Sequence, residues 1–497
     1  MVPLNKETIN SLPSVFHVPN EYELLSVENA IVHIGVGGFH RAHQAFALAK
    51  LINQDPSQFA KWRITGVGLM PQDKALIERL KNQDYLYTLR MVNAAKEEHL
   101  IVIDAIKDFL HLDTDLNEIV KKIGSARTKI VSLTITEGGY NYDFENDSFK
   151  IENENIIHDL TYKNQPKTVF GLLALALQYR KSTSNSSIVL LSCDNIIGNG
   201  DVLKKTLFSF LEAYDLDVYK WAIDNVSFPN CMVDRITPVP KKEDVQDLKA
   251  RYGVEDSCLV VSEDYFQWVI EKGDYQNDLP PLQMVGVDFV DKVLHYEHMK
   301  LGILNGGHTL VGLLGDAFGY TTIHDSVTDP LIESIFNQYI EKEVIPVLMP
   351  LERIDYTQYF EKVKTRFSNA MINDSTERII SFTSDKFPKF ILPIIQKQLS
   401  QKDIQVECAG LIVAAWWSYL RKRMNQNNMS TVVDNIKYQW EQIFEDENES
   451  INRFIAYEPV FGDIAKNKLF KDSYLQAIKA FREGEILSNI QKLIRKN

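Results

Sequence analysis

Lys300, Asn305 and His308 lie close together in the segment His298-Met299-Lys300-Leu301-Gly302-Ile303-Leu304-Asn305-Gly306-Gly307-His308-Thr309. These residue types suit the oxidation of a secondary alcohol to a ketone. That reaction needs a base for the hydroxyl proton and donors for the oxygen as charge builds on it. A lysine serves as the base where burial and neighbours bring its pKa down from ~10.4 toward neutrality. An asparagine can donate to the reacting oxygen, and a histidine can orient a neighbouring hydroxyl. On a regular α-helix His308 lies about 80° and Asn305 about 140° around from Lys300, so all three project from one broad side. Gly306 and Gly307 are expected to clear space for a ligand. An ordinary surface helix can carry the same three residues, and pattern alone leaves both readings open.

A second chemical signal lies near the start. Ile31-Val32-His33-Ile34 reads as a β-rich strand and leads into Gly35-Val36-Gly37-Gly38-Phe39-His40-Arg41-Ala42-His43. Gly35 permits a tight turn, Gly37 lets the backbone approach a pyrophosphate, and the following helix start offers N–H groups to phosphate oxygens. The third glycine of a G-x-G-x-x-G fingerprint is replaced by His40. His40, Arg41 and His43 form a cationic cluster suited to phosphate. The next strand, Arg63–Leu69, is followed by Asp73, placed to accept from the adenosine ribose and to select NAD by repelling a 2′-phosphate. Helix capping by Asp73 is the competing reading. Tyr296 and Lys300 also fit a Y-x-x-x-K spacing. The glycine turn lacks the T-G-x-x-x-G-x-G form that accompanies this spacing in short-chain dehydrogenases, so the match is read as accidental.

The elements that must position these residues follow from the pattern of the whole chain. With 497 residues, two or three domains are expected. Runs at Ala30–Ile34, Trp62–Gly68, Lys129–Ile135, Ser187–Ser192, Cys258–Ser262 and Gly286–Phe289 alternate with amphipathic stretches. This alternation predicts an α/β fold with a mostly parallel sheet covered by helices. Beyond it, Leu331–Val344, Val406–Met424, Val432–Phe444 and Ser473–Arg482 carry apolar residues at helical spacing. The expected organisation is therefore a dinucleotide-binding domain over residues 1–290 and a helical domain over residues 291–497.

Acidic residues outnumber basic ones 67 to 54, for a formal charge of −13, and no basic run is present. General nucleic-acid or membrane-surface binding is not expected. The four cysteines are widely spaced, so neither a metal site nor a disulfide framework is indicated. The start lacks the basic and apolar regions of a signal peptide, and the apolar stretches fall short of the ~20 residues of a membrane span. A cytoplasmic, metal-free chain is expected, and a monomer is compatible with these residues.

Six motifs, in order, carry a resemblance over essentially the whole chain: GVGGFHRAH at Gly35–His43, TITEGGY at Thr134–Tyr140, SCDN at Ser192–Asn195, VDRITP at Val233–Pro238, KLGILNGGH at Lys300–His308 and RFSN at Arg366–Asn369. The sequence resembles the polyol-specific long-chain dehydrogenase and reductase family. The resemblance implies an expanded Rossmann-type N-terminal domain and an all-α C-terminal domain like that of 6-phosphogluconate dehydrogenase. It implies NAD as cofactor and the interconversion of a sugar alcohol and its ketose, D-mannitol and D-fructose foremost. It maps catalysis onto Lys300, Asn305 and His308, with Asn195 as a second donor to the substrate oxygen. Asp234, Arg378 and Lys386 are implied as substrate contacts, although the chain departs from the family pattern over Ser381–Lys386. Glu137, just past a strand end, is placed as a cofactor-side or proton-relay residue. The alternatives are a uronate reductase of the same family, acting on fructuronate or tagaturonate, an arabinitol or sorbitol dehydrogenase, and, from another class, a non-catalytic NAD-binding sensor.

Overall fold

A computed structural model describes residues 1–19, 30–144, 146–352 and 354–495. They divide into two compact units, Met1–Val92 with Glu97–Leu294, and Asn93–Lys96 with His295–Asn497.

The first unit is organised by six strands in the spatial order Val226–Ser227, Ile188–Ser192, Ile130–Leu133, Ile31–Ile34, Ile64–Gly68, Ile106–His111. All five pairings are parallel. The chain enters at the centre, winds outward through Ile64–Gly68 to Ile106–His111, then returns and winds the other way from Ile130–Leu133. The order reverses between Ile31–Ile34 and Ile130–Leu133, which is the doubly wound Rossmann arrangement with its switch point beside the glycine turn. Successive side chains feed opposite layers. Ile31, Ile64, Ile130 and Val189 join one core with Ala45, Leu48 and Ile52 of helix Gln44–Gln54. Val32, Val67, Val131 and Leu190 join another with Ile119, Ile123, Phe170 and Leu173 from helices Leu112–Gly124 and Val169–Thr183. Burial on both faces explains why these strands read as short, nearly continuous apolar runs.

Two runs expected in this sheet lie elsewhere. Cys258–Ser262 forms strand Val260–Glu263, which pairs with Tyr87–Val92 in a separate four-stranded sheet. Gly286–Phe289 forms strand Asp288–Val290, which pairs with Gln267–Glu271 in a three-stranded sheet. Both of these sheets contain antiparallel pairs, Tyr87–Val92 with Glu98–Ile103 and Cys231–Asp234 with Gln267–Glu271. Residue pattern identifies a strand without naming its partner.

In the second unit no strand occurs among the described residues after Val290. One helical run enters it, α-helical over Leu294–Met299, widened to a π-helix over Lys300–Gly306, then α-helical over Gly307–Phe318. It ends at Gly319, whose φ of +88° closes the helix. Helix Pro330–Gln338 likewise passes into a π segment, Tyr339–Val344. The two widened segments face each other: a Cβ on Gly302 would meet Val344 at 2.9 Å, and one on Gly306 would meet the Tyr339 hydroxyl at 3.2 Å. Glu343 is buried in the second π segment and accepts the N–H groups of Cys408 (2.6 Å) and Ala409 (2.9 Å) at the start of helix Glu407–Asn425. Trp416 of that helix packs with Trp440, Phe454 and Phe461 in an aromatic core. The periodicity over Val432–Phe444 overstates its helix, which spans Lys437–Ile443. Asp434 instead accepts from the N–H groups of Ser384 and Ile436, holding the preceding residues as a loop.

Candidate functional site

Chemistry-bearing residues form a cluster in each unit. In the first, Gly35 leaves the central strand at φ +92°, and a Cβ there would lie 2.1 Å from the Thr134 carbonyl oxygen. The Thr134 hydroxyl donates to the Gly35 carbonyl at 2.7 Å, tying together the two strand ends at the switch point. Gly37 and Gly38 are different. A Cβ on Gly37 would have nothing nearer than the Gly35 carbonyl at 4.0 Å, and one on Gly38 nothing nearer than the Thr237 methyl at 3.9 Å. Helix Gly38–Ala42 follows, and its first N–H groups have no acceptor within the helix. Open backbone, unsatisfied donors and a switch-point position suit a dinucleotide pyrophosphate.

The expected cationic cluster does not face that space. His40 is fully buried and stacks on His33 at 3.4 Å. Burial drives both imidazoles toward the neutral form, lowering His33 to about 3. His33 Nε2 donates to the Thr134 hydroxyl at 2.9 Å while Nδ1 accepts from Ser132 at 2.8 Å, the tautomer set by the Thr134 bond to Gly35. Arg41 donates to the Cys258 carbonyl at 2.5 Å and lies over the Tyr87 ring. His43 donates to the Gln267 carbonyl at 2.9 Å and stacks on Phe39, which is thereby held against the protein. The short helix lies down on the sheet, so His40, Arg41 and His43 fill its inner side. Only the backbone of this segment remains available to phosphate.

Asp73 begins helix Asp73–Asn82 after strand Ile64–Gly68, and its Oδ2 accepts the Met70 N–H at 2.9 Å. It closes the turn and stands at the carboxyl end of the strand next to the central one. Glu137 is exposed in the one-turn helix Thr136–Gly139 after Ile130–Leu133. Asn195 is exposed beyond Ile188–Ser192, and Asp234 is buried at the end of strand Cys231–Asp234. A residue the motifs did not single out is Asp194. Its Oδ2 accepts from Ile135 N–H (3.0 Å) and Tyr140 hydroxyl (2.7 Å), and its Oδ1 from Thr136 N–H (2.9 Å). Burial holds its carboxyl above the usual range against these bonds. Thr136 has φ +62°, and Asp194 supports that strained turn from the neighbouring strand end. The signal was present in S-C-D-N, next to the asparagine.

In the second unit, Lys300 is buried at the start of the π segment. Asn305 is half-buried, and among the described residues its Oδ1 has no hydrogen-bond partner. The π segment overturns the angles drawn for a regular helix, because i→i+5 bonding places more residues in each turn. Gly306 and Gly307 also do not clear space for a ligand. A Cβ on Gly307 would lie 2.3 Å from the Phe336 ring, so both glycines admit core side chains. His308 is buried and stacks on Phe367 at 4.2 Å. Its Nε2 lies 3.6 Å from Asp374 Oδ2, beyond hydrogen-bond range. Burial lowers its pKa to about 3 despite Asp374, so the ring is neutral. Arg378 pairs with Asp374, and the Lys386 ammonium donates to the Ile379 carbonyl at 2.8 Å. Burial, then the Arg378 charge, lowers Lys386 to about 8. His308, Arg378 and Lys386 are thus brought together around Asp374, which sequence reasoning missed. Among the described residues no group of three or more His, Cys, Asp or Glu side chains is placed to hold a metal, and no helix is long and apolar enough to cross a membrane.

Residues 29–284 match the mannitol dehydrogenase Rossmann domain and residues 292–482 the mannitol dehydrogenase C-terminal domain. The chain belongs to the mannitol dehydrogenase family. A mannitol dehydrogenase of Saccharomyces cerevisiae is 36% identical over 84% of this chain and 82% of its own length. Among solved structures, the Pseudomonas fluorescens mannitol 2-dehydrogenase, a ternary complex with NAD and D-mannitol, superposes with a TM-score of 0.87 at 34% identity, covering all of both chains. A D-sorbitol dehydrogenase in substrate-free form gives a TM-score of 0.87 at 30% identity, covering 98% of this chain and all of the other. Family membership accounts for both the doubly wound sheet and the helical unit.

Proposed function

We propose that the chain is an NAD-dependent polyol dehydrogenase that interconverts D-mannitol and D-fructose, with Lys300 as the proton acceptor and donor in place of a metal. The carrying observation is the buried Lys300 on the same helical run as Asn305, whose Oδ1 has no partner among the described residues. An unpaired buried amide oxygen is costly unless a ligand hydroxyl completes it. The solved relative crystallised with NAD and D-mannitol supports the choice of cofactor and sugar.

In this reading the backbone of Gly35, Gly37 and Gly38 cradles the pyrophosphate. Asp73 accepts from the adenosine ribose and disfavours a 2′-phosphate. When bound, NAD would supply a two-electron acceptor for the hydride leaving the carbinol carbon. Lys300 takes the hydroxyl proton in oxidation and returns it in reduction. Asn305 accepts a neighbouring sugar hydroxyl at Oδ1 and donates to the reacting oxygen through its amide nitrogen, and Asn195 of the first unit is assigned the same donor role. His308, neutral at working pH, orients an adjacent hydroxyl. Asp234, Arg378 and Lys386 bind the remaining hydroxyls. Glu137 is assigned to the cofactor side or to relaying the proton from Lys300.

The test is a panel of D-mannitol, D-sorbitol and D-arabinitol oxidation and D-fructose reduction, each with both nicotinamide cofactors. D-Mannitol and D-fructose with NAD and NADH are expected to give the highest kcat/KM. Absence of turnover with every polyol and ketose overturns the reading, and equal use of NADP removes the role given to Asp73.

A further inference from the structure

Two segments of the first unit carry residues assigned to the substrate, and one buried amide joins them. Asn195 follows strand Ile188–Ser192 of the doubly wound sheet, and Asp234 ends Cys231–Asp234, an edge strand of the three-stranded sheet. Asn199, fully buried at the first position of helix Asn199–Tyr214, lies between them. Its Oδ1 accepts the Cys231 N–H at 3.0 Å, and its Nδ2 donates to the Cys231 carbonyl at 2.7 Å. The side chain thus stands where a neighbouring strand would, on the outer edge of Cys231–Asp234. Nδ2 also donates to the Asp194 carbonyl at 3.0 Å. That carbonyl belongs to the peptide bond entering Asn195, and it accepts the Ile196 N–H at 2.9 Å as well. Asn195 is therefore the middle residue of a turn closed by an i→i+2 bond, and Asn199 grips the carbonyl that opens it.

An asparagine at a helix start ordinarily turns back to cap its own helix. Here Asn230, just before the strand, does that from outside. Its Oδ1 accepts from the Gly200 and Asp201 N–H groups at 2.9 and 3.1 Å. Asn230 is held in turn by its Nδ2 donation to Glu271 at 2.9 Å. A Cβ on Gly200 would lie 2.5 Å from the Pro229 carbonyl oxygen, so the helix start is pressed onto the segment that leads into the strand. The two asparagines form a reciprocal clasp, each bonding the backbone of the other's segment. With both ends of a buried amide bonded, the spacing between Asp194 and Cys231 has little freedom.

We propose that Asn199, held by Asn230, is a positioning residue for alcohol oxidation. It fixes the Asp194–Asn195 peptide against strand Cys231–Asp234, so that Asn195 and Asp234 address one sugar as a unit. The inference rests on the reading of Asn195 as a donor to the reacting oxygen. Asn199 is sealed from solvent and acts through Asn195.

The test is a double-mutant cycle read as kcat for D-mannitol oxidation by NAD. Asn199→Ala is expected to lower kcat by about tenfold to a hundredfold, the cost of misplacing a reacting group by up to an ångström. In the Asn195→Ala background the same substitution should lower kcat by less than about threefold, because residues that act through one another are not additive. A merely structural role lowers kcat by the same factor in both backgrounds. Equal factors, or no loss from Asn199→Ala, overturn the proposal while leaving the role of Asn195 intact. Should Asn199→Ala fail to fold, Asn230→Ala loosens the clasp from its partly exposed side. It must show the same dependence on Asn195, and equal factors or no loss again overturn the proposal. If Asn195→Ala alone retains the wild-type kcat, the donor assignment of Asn195 fails, and the proposal falls with it.

Discussion

Gly35 presses its α-carbon against the carbonyl oxygen of Thr134, so that a Cβ would sit 2.1 Å from it, while Gly37 two residues on faces open space. The two glycines serve different ends, one closing the switch point and the other leaving room above it.

Their substitutions should therefore separate. Gly35→Ala combines a backbone clash with a φ of +92° and is expected to cost about 1–3 kcal/mol or more, read as a fall in Tm. Gly37→Ala is expected to hold the Tm nearly unchanged and to raise the Kd for NADH several-fold in a fluorescence titration. A comparable loss of Tm in both variants counts against the assignment.

Lys300→Met should lower kcat by about 10²–10⁴, the usual contribution of a positioned proton-transfer group. NADH binding and folding are expected to persist, because a methionine fills a similar buried volume. Near-normal turnover in a folded variant would remove Lys300 from the mechanism.

Lys386, lowered to about 8 by burial and then by Arg378, carries its proton below that pH and loses it above. Beside the bond to Ile379 the ammonium keeps two charged N–H donors for sugar hydroxyls, whereas the neutral amine keeps one uncharged and weaker donor. KM for the sugar is expected to climb as pH rises through about 8, and the break should be absent in Lys386→Met. His308, already neutral with a pKa of about 3, should add no inflection of its own near neutrality.

Burial raises Glu343 to about 7 from its ordinary 4.5. The folded chain then holds more protons than the unfolded one between those values, so stability falls as pH rises from about 4.5 to 7. The slope from this one group reaches about 1.4 kcal/mol per pH unit. Urea unfolding of wild type and Glu343→Gln at pH 5 and pH 8 isolates it. Their stability difference should move in favour of the variant at the higher pH, and a pH-independent difference would argue against a titrating Glu343.

Some of this was legible from residue order alone. The strand Ile31–Ile34 and the turn after it show in sequence because apolar β-branched residues followed by glycines have few other uses. The doubly wound class follows from the repeated alternation. Direction was not legible: His40, Arg41 and His43 are the right types for phosphate, yet a five-residue helix and the residue that ends it turn them inward. Partnership was not legible either, since Val260–Glu263 reads as a strand of any sheet. The angles around Lys300 failed because a π segment leaves no mark on apolar periodicity. Asp374 escaped because its meaning comes from His308, distant in the chain, as well as from nearby Arg378.

The widened segment at Lys300–Gly306 amounts to slack wound into the helix, a residue more than regular α-geometry would need to cover the same length. Removing a single residue between Leu301 and Leu304 would let the bonds contract to i→i+4. The part of the run before the deletion would then turn by about 100° against the part after it. With His308 held by Phe367, Lys300 would swing away, and holding Lys300 would displace His308 instead. Here the number of residues in the segment, and not their identity alone, sets the directions in which Lys300 and His308 project.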